Sequence, residues 1–190
     1  ERTDKINNIR FEDNATYVIG KLGIKKIDAN GNERLLGFSA NDLLIDNKLA
    51  YIGYTYTLVL PSEKMNPCDL KKTVPEVIVN KRSNIFTKDQ NSIWIGTNNG
   101  LYQLSKNKKL VKWGDKNKNL QSSIKDLYYD FDSKTLFIAT ASKGMLTINS
   151  NKISQFTIED GLNSNSCNSV KKISSTDYLV GTNNGLNLLS

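Results

Sequence analysis

The sequence predicts an all-β fold made of repeated sheets, and two observations support this prediction. The first is a repeat, because the stretch Gly-Thr-Asn-Asn-Gly-Leu occurs at residues 96–101 and again at residues 181–186. The second is the character of the apolar runs, which are short and rich in Ile, Val, Tyr, Trp and Phe. Short runs of β-branched and aromatic residues, separated by Gly, Asn, Asp and Ser, are typical of strands.

Weaker copies of the repeat fill the rest of the chain. In each copy an apolar run ends at a small residue, and a second apolar run follows a polar turn. The small residues are Gly20, Gly53, Gly96, Ala139 and Gly181, the last four of them about 42 residues apart. We interpret residues 1–190 as a single domain of five repeats, at about residues 6–40, 41–75, 76–121, 122–164 and 165–190.

A period near 42 residues occurs both in helical repeat arrays and in the blades of β-propellers. No window of this sequence sustains the spacing of apolar positions that a repeat helix needs. The Asn and Gly residues at 97–100 tolerate positive φ, so we expect a tight hairpin there. The third repeat then reads as four strands, at about residues 77–80, 92–97, 101–105 and 110–113.

The second strand of the third repeat has apolar residues on both faces. Ile93 and Ile95 point one way and Trp94 the other, which predicts burial on both sides. Sheets packed against similar sheets around a channel have this property, and a small residue such as Gly96 permits close backbone approach. The predicted fold class is therefore a partial β-propeller of about five four-stranded antiparallel blades.

The composition of the chain limits the kinds of function and partner that it can have. The chain is 38% hydrophobic and 24% charged, as soluble globular proteins are, and no run approaches the length of a membrane span. Its net charge of +7 favours acidic partners in general, but the lysines are scattered through turns, so we predict no nucleic-acid partner. Cys68 and Cys167 lie in different repeats, and we predict two free thiols.

The chemistry of common enzyme sites is missing from the sequence. The chain contains no histidine, which excludes Ser-His-Asp and Cys-His nucleophile systems and the usual catalytic zinc sets. No phosphate-binding loop, Cys-x-x-Cys pair or EF-hand spacing is present. The acidic pair Glu159 and Asp160 fits a turn better than a glycosidase carboxylate pair. We predict no catalytic residue, no cofactor and no metal.

The motifs resemble a known family. Residues 161–165 read Gly-Leu-Asn-Ser-Asn, a short apolar strand follows, and residues 178–186 read Tyr-Leu-Val-Gly-Thr-Asn-Asn-Gly-Leu. This order resembles the two-component regulator propeller repeat, approximately Gly-Leu-Pro-Ser-Asn, a strand, then Leu-Trp-Ile-Gly-Thr-x-x-Gly-Leu. Residues 93–101 match its second half almost completely. Asn163 replaces the usual Pro, Ala139 replaces a Gly, and the second repeat lacks the second Gly, which marks its turn as a candidate specialised surface.

The resemblance implies a role in signalling. Such repeats form seven-bladed propellers in the periplasmic sensor region of hybrid two-component regulators of Bacteroides-type bacteria, where a membrane span, a histidine kinase and often a response-regulator receiver domain follow. The sensor region is thought to detect oligosaccharides and to signal through its dimeric state. The resemblance thus implies a non-catalytic fragment of one propeller that is periplasmic, self-associates, binds an oligosaccharide and reaches the membrane only through a downstream segment.

Two other interpretations stay open, namely a protein-interaction or dimerisation scaffold and, less favoured, a polysaccharide-active propeller enzyme such as a lyase. For ligand binding, tyrosine rings in the unusual turn of the second repeat suit the face of a sugar, and basic residues suit an acidic sugar. Polar turn residues and one tryptophan at a strand end complete the set, although turn geometry or core packing also explains them. The candidate residues are Tyr54, Tyr56, Lys81, Arg82, Asn98, Asn99, Trp113 and Lys143.

Overall fold

The structure is a computed structural model that describes residues 5–37, 39–66, 69 and 72–190. Contacts between residues group the chain into two compact units, Glu1–Ser83 and Asn84–Ser190. Within the described ranges, no helix is both long enough and apolar enough to cross a membrane. Cys68 lies outside these ranges, and Cys167 is a buried free thiol whose pKa burial raises to about 11.

The first compact unit holds two four-stranded antiparallel sheets, and each follows chain order. The first sheet consists of β1 (Ile6–Glu12), β2 (Ala15–Gly20), β3 (Ile24–Ile27) and β4 (Glu33–Leu35). The second consists of β5 (Asp42–Asp46), β6 (Leu49–Gly53), β7 (Thr57–Pro61) and β8 (Glu76–Val79). Both contribute to one apolar core, in which Ile19, Ile24, Leu43 and Ile52 are almost completely buried.

The second compact unit holds the remaining sheets, which are also antiparallel and in chain order. One consists of β9 (Ser83–Lys88, of which Ser83 is the last residue of the first unit), β10 (Ser92–Thr97), β11 (Gly100–Ser105) and β12 (Leu110–Lys112). The next consists of β13 (Ile124–Asp130), β14 (Thr135–Thr140), β15 (Met145–Asn149) and β16 (Lys152–Phe156). The last has three strands, β17 (Cys167–Lys172), β18 (Tyr178–Thr182) and β19 (Gly185–Leu189). The repeated antiparallel sheets confirm the predicted class, and the fold is a β-propeller.

The packing of β10 confirms the two-sided burial predicted for it. Ile93, Trp94 and Ile95 are 5%, 4% and 0% exposed. A Cβ added at Gly96 would lie 2.7 Å from the Cγ2 atoms of both Ile85 and Ile124, so the small residue is required where neighbouring sheets approach.

One predicted strand belongs to a different sheet. Residues 77–80 were expected to open the third repeat, but β8 pairs with β7 and is the last strand of the second sheet. The first strand of the third sheet is β9, whose Ile85 and Phe86 are buried, whereas Val77 in β8 is 51% exposed. The prediction was wrong because the repeat period is set by the second and third strands of each sheet only. The long stretch of residues 62–75 precedes the fourth strand of the second sheet, which therefore lies where the first strand of the third sheet was expected.

Asparagine side chains donate to backbone carbonyls of distant residues within each compact unit. The Nδ2 atom of Asn7 donates to the carbonyl oxygen of Ala40 at 2.7 Å. Asn41 donates to the carbonyl of Ser83 at 2.8 Å, and Asn84 donates to the carbonyl of Ile124 at 2.9 Å. Each bond gives a backbone carbonyl a side-chain donor from a residue more than 30 positions away.

Candidate functional site

Each sheet has two ends that carry different segments. Because the strands are antiparallel and consecutive, the turn between the second and third strands lies at the same end as the connection to the next sheet. We call this the connection end, and the opposite end, with the other two hairpins, the hairpin end. All eight predicted ligand-binding residues lie at or near the connection end of their own sheet.

The unusual turn of the second sheet joins β6 to β7 through residues 54–56. The backbone N–H of Tyr54 donates to the carbonyl of Tyr56 at 3.0 Å, and the carbonyl of Tyr54 accepts from the N–H of Ser83 at 3.0 Å. The hydroxyls of Thr57 and Ser83 are hydrogen-bonded at 2.5 Å, and Ser83 also donates to the carbonyl of Lys81 at 3.2 Å. Ser83 therefore fastens the tyrosine turn to the segment that carries Lys81.

This arrangement brings four of the predicted residues to adjacent segments. Tyr54 and Tyr56 are 45% and 43% exposed, and Lys81 and Arg82 are exposed as well. Lys81 and Arg82 follow β8, the last strand of the second sheet, and not the first strand of the third repeat, as the strand predicted at residues 77–80 had implied. The surface they form with the tyrosines, called the tyrosine turn surface below, combines apolar rings with cationic donors.

The turn at Asn98 and Asn99 differs from the expected one. Neither asparagine has positive φ, and only Gly100 does, at 108°. The hydroxyl of the fully buried Thr97 holds the turn, because it accepts from the N–H of Asn99 at 3.0 Å and donates to the carbonyl of Gly100 at 2.8 Å. Thr140 and Thr182 make the same pair of bonds in the next two sheets. The sequence carried the signal for these hydroxyls, because a threonine follows the small residue in all three repeats.

Replacement of Thr97 by valine is expected to lower the free energy of unfolding by about 1–3 kcal/mol, because the buried carbonyl of Gly100 and the N–H of Asn99 each lose a hydrogen bond. The side chains have nearly the same shape, so packing changes little. Thr147→Val in the middle of β15 is the matched control, because no hydrogen bond of its side chain is described. Urea denaturation measures both variants, and equal losses would contradict a specific role for the Thr97 hydroxyl.

Lys143 lies at the connection end of the fourth sheet. Its N–H donates to the hydroxyl of Thr140 at 2.8 Å, and its carbonyl accepts from the side chain of Gln155 at 2.9 Å. The adjoining Ala141 N–H donates to the carbonyl of Ser123 at 2.9 Å. These bonds fix the backbone and leave the Lys143 side chain exposed.

Trp113 belongs to the core. It is 2% exposed, its ring centroid lies 5.4 Å from that of Trp94, and its indole N–H donates to Gln103 Oε1 at 3.0 Å. Lys116 Nζ lies 3.9 Å from the ring centroid, which gives the tryptophan a cation–π contact. The sequence left ligand binding and core packing open for Trp113, and the structure shows it packed in the core with almost no surface available to a ligand.

A buried polar network that sequence reasoning missed lies at the hairpin end of the fourth and fifth sheets. Asp130 accepts hydrogen bonds from Ser133 at 2.6 Å, Tyr178 at 2.6 Å and Lys172 at 2.9 Å, and Lys172 also pairs with Asp132 at 2.8 Å. Burial alone would raise the pKa of Asp130, but the bonds from Ser133, Tyr178 and Lys172 hold that pKa well below its usual range. Hydrogen bonds to Asp132 and Asp130 raise the pKa of Lys172.

This network has every member paired, which is typical of a structural clamp. Asp130 is 3% exposed and all its partners are donors, so its carboxylate has no open face for a substrate. Burial and the bond to Asp130 raise the pKa of Tyr178, which keeps its phenol protonated. Among the described residues no group of three or more His, Cys, Asp and Glu side chains is arranged to hold a metal ion.

Comparisons with solved structures agree with this fold. The chain is similar to the extracellular domain of the hybrid two-component system BT3049 from B. thetaiotaomicron, with a TM-score of 0.78 and 19% identity, over 100% of this chain and 27% of that one. It is also similar to the extracellular domain of the hybrid two-component system BT4673 from the same organism, with a TM-score of 0.76 and 16% identity, over 95% and 26%. These likenesses establish a shared fold.

A third similar structure is PorZ, a surface component of the type-IX secretion system of Porphyromonas gingivalis, with a TM-score of 0.69 and 17% identity, over 96% of this chain and 31% of that one. No family model matches the sequence, and no curated protein matches it significantly. The chain spans about a quarter to a third of the length of these three structures.

Proposed function

We propose that this chain is a non-catalytic part of a ligand-sensing β-propeller in a hybrid two-component regulator, that it works outside the cytoplasm, in the periplasm, and that its ligand is an oligosaccharide. The observation that carries the proposal is the tyrosine turn surface. It occurs where the sequence departs from its own repeat, and its backbone is held by Ser83 while its side chains stay exposed. A fixed backbone with free side chains is the arrangement that a binding surface needs.

The chemistry of the surface suits a sugar. The rings of Tyr54 and Tyr56 offer apolar faces with a hydroxyl at the edge, and Lys81 and Arg82 offer donors to hydroxyl or carboxylate oxygens. Similarity to the extracellular domains of two-component systems supports the sensing role and the extracytoplasmic location. In this proposal the membrane span, histidine kinase and response-regulator parts lie elsewhere in the intact protein.

A thermal-shift panel of oligosaccharides tests the proposal. At least one glycan is expected to raise the melting temperature, since a ligand that binds only the folded state stabilises it. The double variant Tyr54→Ala/Tyr56→Ala is expected to lose that shift and to remain folded, because each residue is nearly half exposed and neither belongs to the buried core. Phe11→Ala, which removes a 79% exposed ring in the same compact unit, is the control and should keep the shift.

A protein-interaction or dimerisation scaffold is the second candidate. A dimer by light scattering together with no glycan shift would favour the scaffold, whereas growth of an unsaturated-product absorbance on a polyuronate would favour an enzyme.

A further inference from the structure

A groove lies at the hairpin end of the second compact unit, between the turn that joins β9 to β10 and the turn that joins β13 to β14. Its volume is about 320 Å³, at the lower end of the range for small-molecule pockets. Asp89, Gln90, Asn91, Tyr129, Phe131 and Lys134 form its walls, and Gln103 lies at its floor. We call it the Phe131 groove.

One wall of the Phe131 groove is rigid. Asp89 Oδ1 accepts from the N–H groups of Asn91 and Ser92, both at 2.7 Å, and Asp89 Oδ2 accepts from the indole N–H of Trp94 at 2.7 Å. The floor is fixed as well, because Gln103 donates to Ser92 at 3.0 Å and accepts from Trp113. The carboxylate of Asp89 is therefore occupied by the protein's own donors and is a poor acceptor for a ligand.

The opposite wall is aromatic. The rings of Tyr129 and Phe131 meet edge to face, with centroids 5.0 Å apart and an interplanar angle of 84°. Phe131 is 56% exposed, whereas Tyr129 is partly buried. An exposed aromatic face beside polar groups is the surface on which the C–H face of a sugar ring packs.

The unused polar groups of the groove are mainly donors. No hydrogen bond of the Gln90, Asn91, Tyr129 or Lys134 side chains is described, while the neighbouring Asp89 and Gln103 are fully engaged. Burial and the nearby Asp89 and Asp130 raise the pKa of Tyr129, so its phenol stays protonated as a donor.

The surroundings of the groove carry an excess of positive charge. Asn91 accepts at its carbonyl from the N–H of Lys106 at 3.0 Å, which places the lysine-rich turn 106–109 directly beside the wall. Lys134 lies on the opposite side, and the nearby carboxylates of Asp130 and Asp132 are paired with Lys172. The four lysines outnumber the negative charge of Asp89 and the single net negative charge of the Asp130, Asp132 and Lys172 group, so the local field favours an anion.

From these features we propose that the Phe131 groove binds an anionic sugar ring, which packs on Phe131 and whose carboxylate or sulfate oxygens accept from Lys134, Asn91 and Gln90. This site is separate from the tyrosine turn surface and does not rest on the function proposed for it. The shared chemistry is a pyranose with one negative charge, and the experiment distinguishes a uronate from a sulfate ester.

Calorimetric titration of the purified chain tests the proposal with three probes: galacturonate, galactose 6-sulfate, and lactose as a neutral control. We expect one acidic probe to bind with a Kd below about 5 mM and lactose at least about tenfold more weakly. The identity of the acidic probe that binds distinguishes carboxylate from sulfate recognition. Raising the salt concentration should weaken that binding, since the charges are exposed.

Variants connect the binding to the groove. Phe131→Ala and Lys134→Gln are each expected to weaken binding about fivefold or more, and both positions are exposed, so the fold should persist. Phe11→Ala and Lys152→Gln, exposed residues outside the groove, are the matched controls. Absence of binding by both acidic probes, equal binding of lactose, or unchanged binding in Phe131→Ala would overturn the proposal. Loss of binding in Tyr54→Ala/Tyr56→Ala alone would overturn it too, while supporting the tyrosine turn surface.

Discussion

Replacement of Gly144 by alanine is expected to lower the free energy of unfolding by more than about 3 kcal/mol, the largest effect expected of a single methyl group in this protein. Gly144 has φ of 72°, and a Cβ there would lie 2.0 Å from the carbonyl oxygen of Phe156. The backbone would have to move, because neither a main-chain carbonyl nor a strand end can rotate away as a side chain can. The turn between β14 and β15 would separate from the connection that follows β16.

Gly161→Ala is the matched control for this variant. Gly161 also has positive φ, 101°, but a Cβ there has nothing within 4 Å. Gly161→Ala should lower the free energy of unfolding by only about 1–2 kcal/mol, which is the cost of placing an alanine in a left-handed backbone conformation. Urea denaturation followed by tryptophan fluorescence measures both. If Gly144→Ala is no less stable than Gly161→Ala, close approach to the Phe156 carbonyl is not the reason for the glycine.

Asp130→Asn is expected to produce the second large effect, a loss of about 2–4 kcal/mol at neutral pH. The change removes the charge while keeping the size, so Lys172 and Tyr178 lose a charged acceptor in a site that is 3% exposed. Asp177→Asn, a partly exposed aspartate in the same sheet region, is the control and should change stability less. An Asp130→Asn protein as stable as the parent would contradict the clamp interpretation.

The pH dependence of the same pair of proteins gives an independent test. The pKa of Asp130 is lower in the folded state than its ordinary value of 3.8, so its contribution is complete above that value and is lost as the pH falls through the folded pKa. The pKa of Lys172 is raised, so its contribution is complete below its ordinary value of 10.5 and is lost at higher pH. The difference in stability between parent and Asp130→Asn should therefore be constant from about pH 5 to pH 9 and shrink below pH 3.8.

The correct predictions concern features that depend on residues close together in sequence, and the incorrect ones concern contacts between residues far apart in sequence. The glycines and the apolar runs predicted strands, two-sided burial and blades, because these depend on local conformation and on the period of two along a strand. The partner of β8 was predicted wrongly, because strand pairing depends on contacts between residues far apart in sequence. Trp113 was left undecided for the same reason, since its partners Trp94 and Gln103 lie in other strands.

The candidate ligand-binding residues illustrate the same limit. The sequence pointed to Tyr54 and Tyr56 because their turn breaks the repeat, but only the structure shows Ser83 fastening that turn to the segment of Lys81. The sequence did not predict the Phe131 groove, because its walls come from turns about 40 residues apart. Ligand binding at these positions stays a prediction until it is measured.

The repeated Gly-Thr-Asn-Asn-Gly-Leu stretch shows most clearly what each level decides. The sequence by itself determined a hairpin and its period, because a glycine at positive φ and a threonine hydroxyl close the turn locally. Only the tertiary structure adds a second reason for the second glycine, because a Cβ at Gly100 would lie 2.6 Å from the carbonyl oxygen of Leu120. That carbonyl belongs to the connection toward the next sheet, and its position is set by packing rather than by the turn.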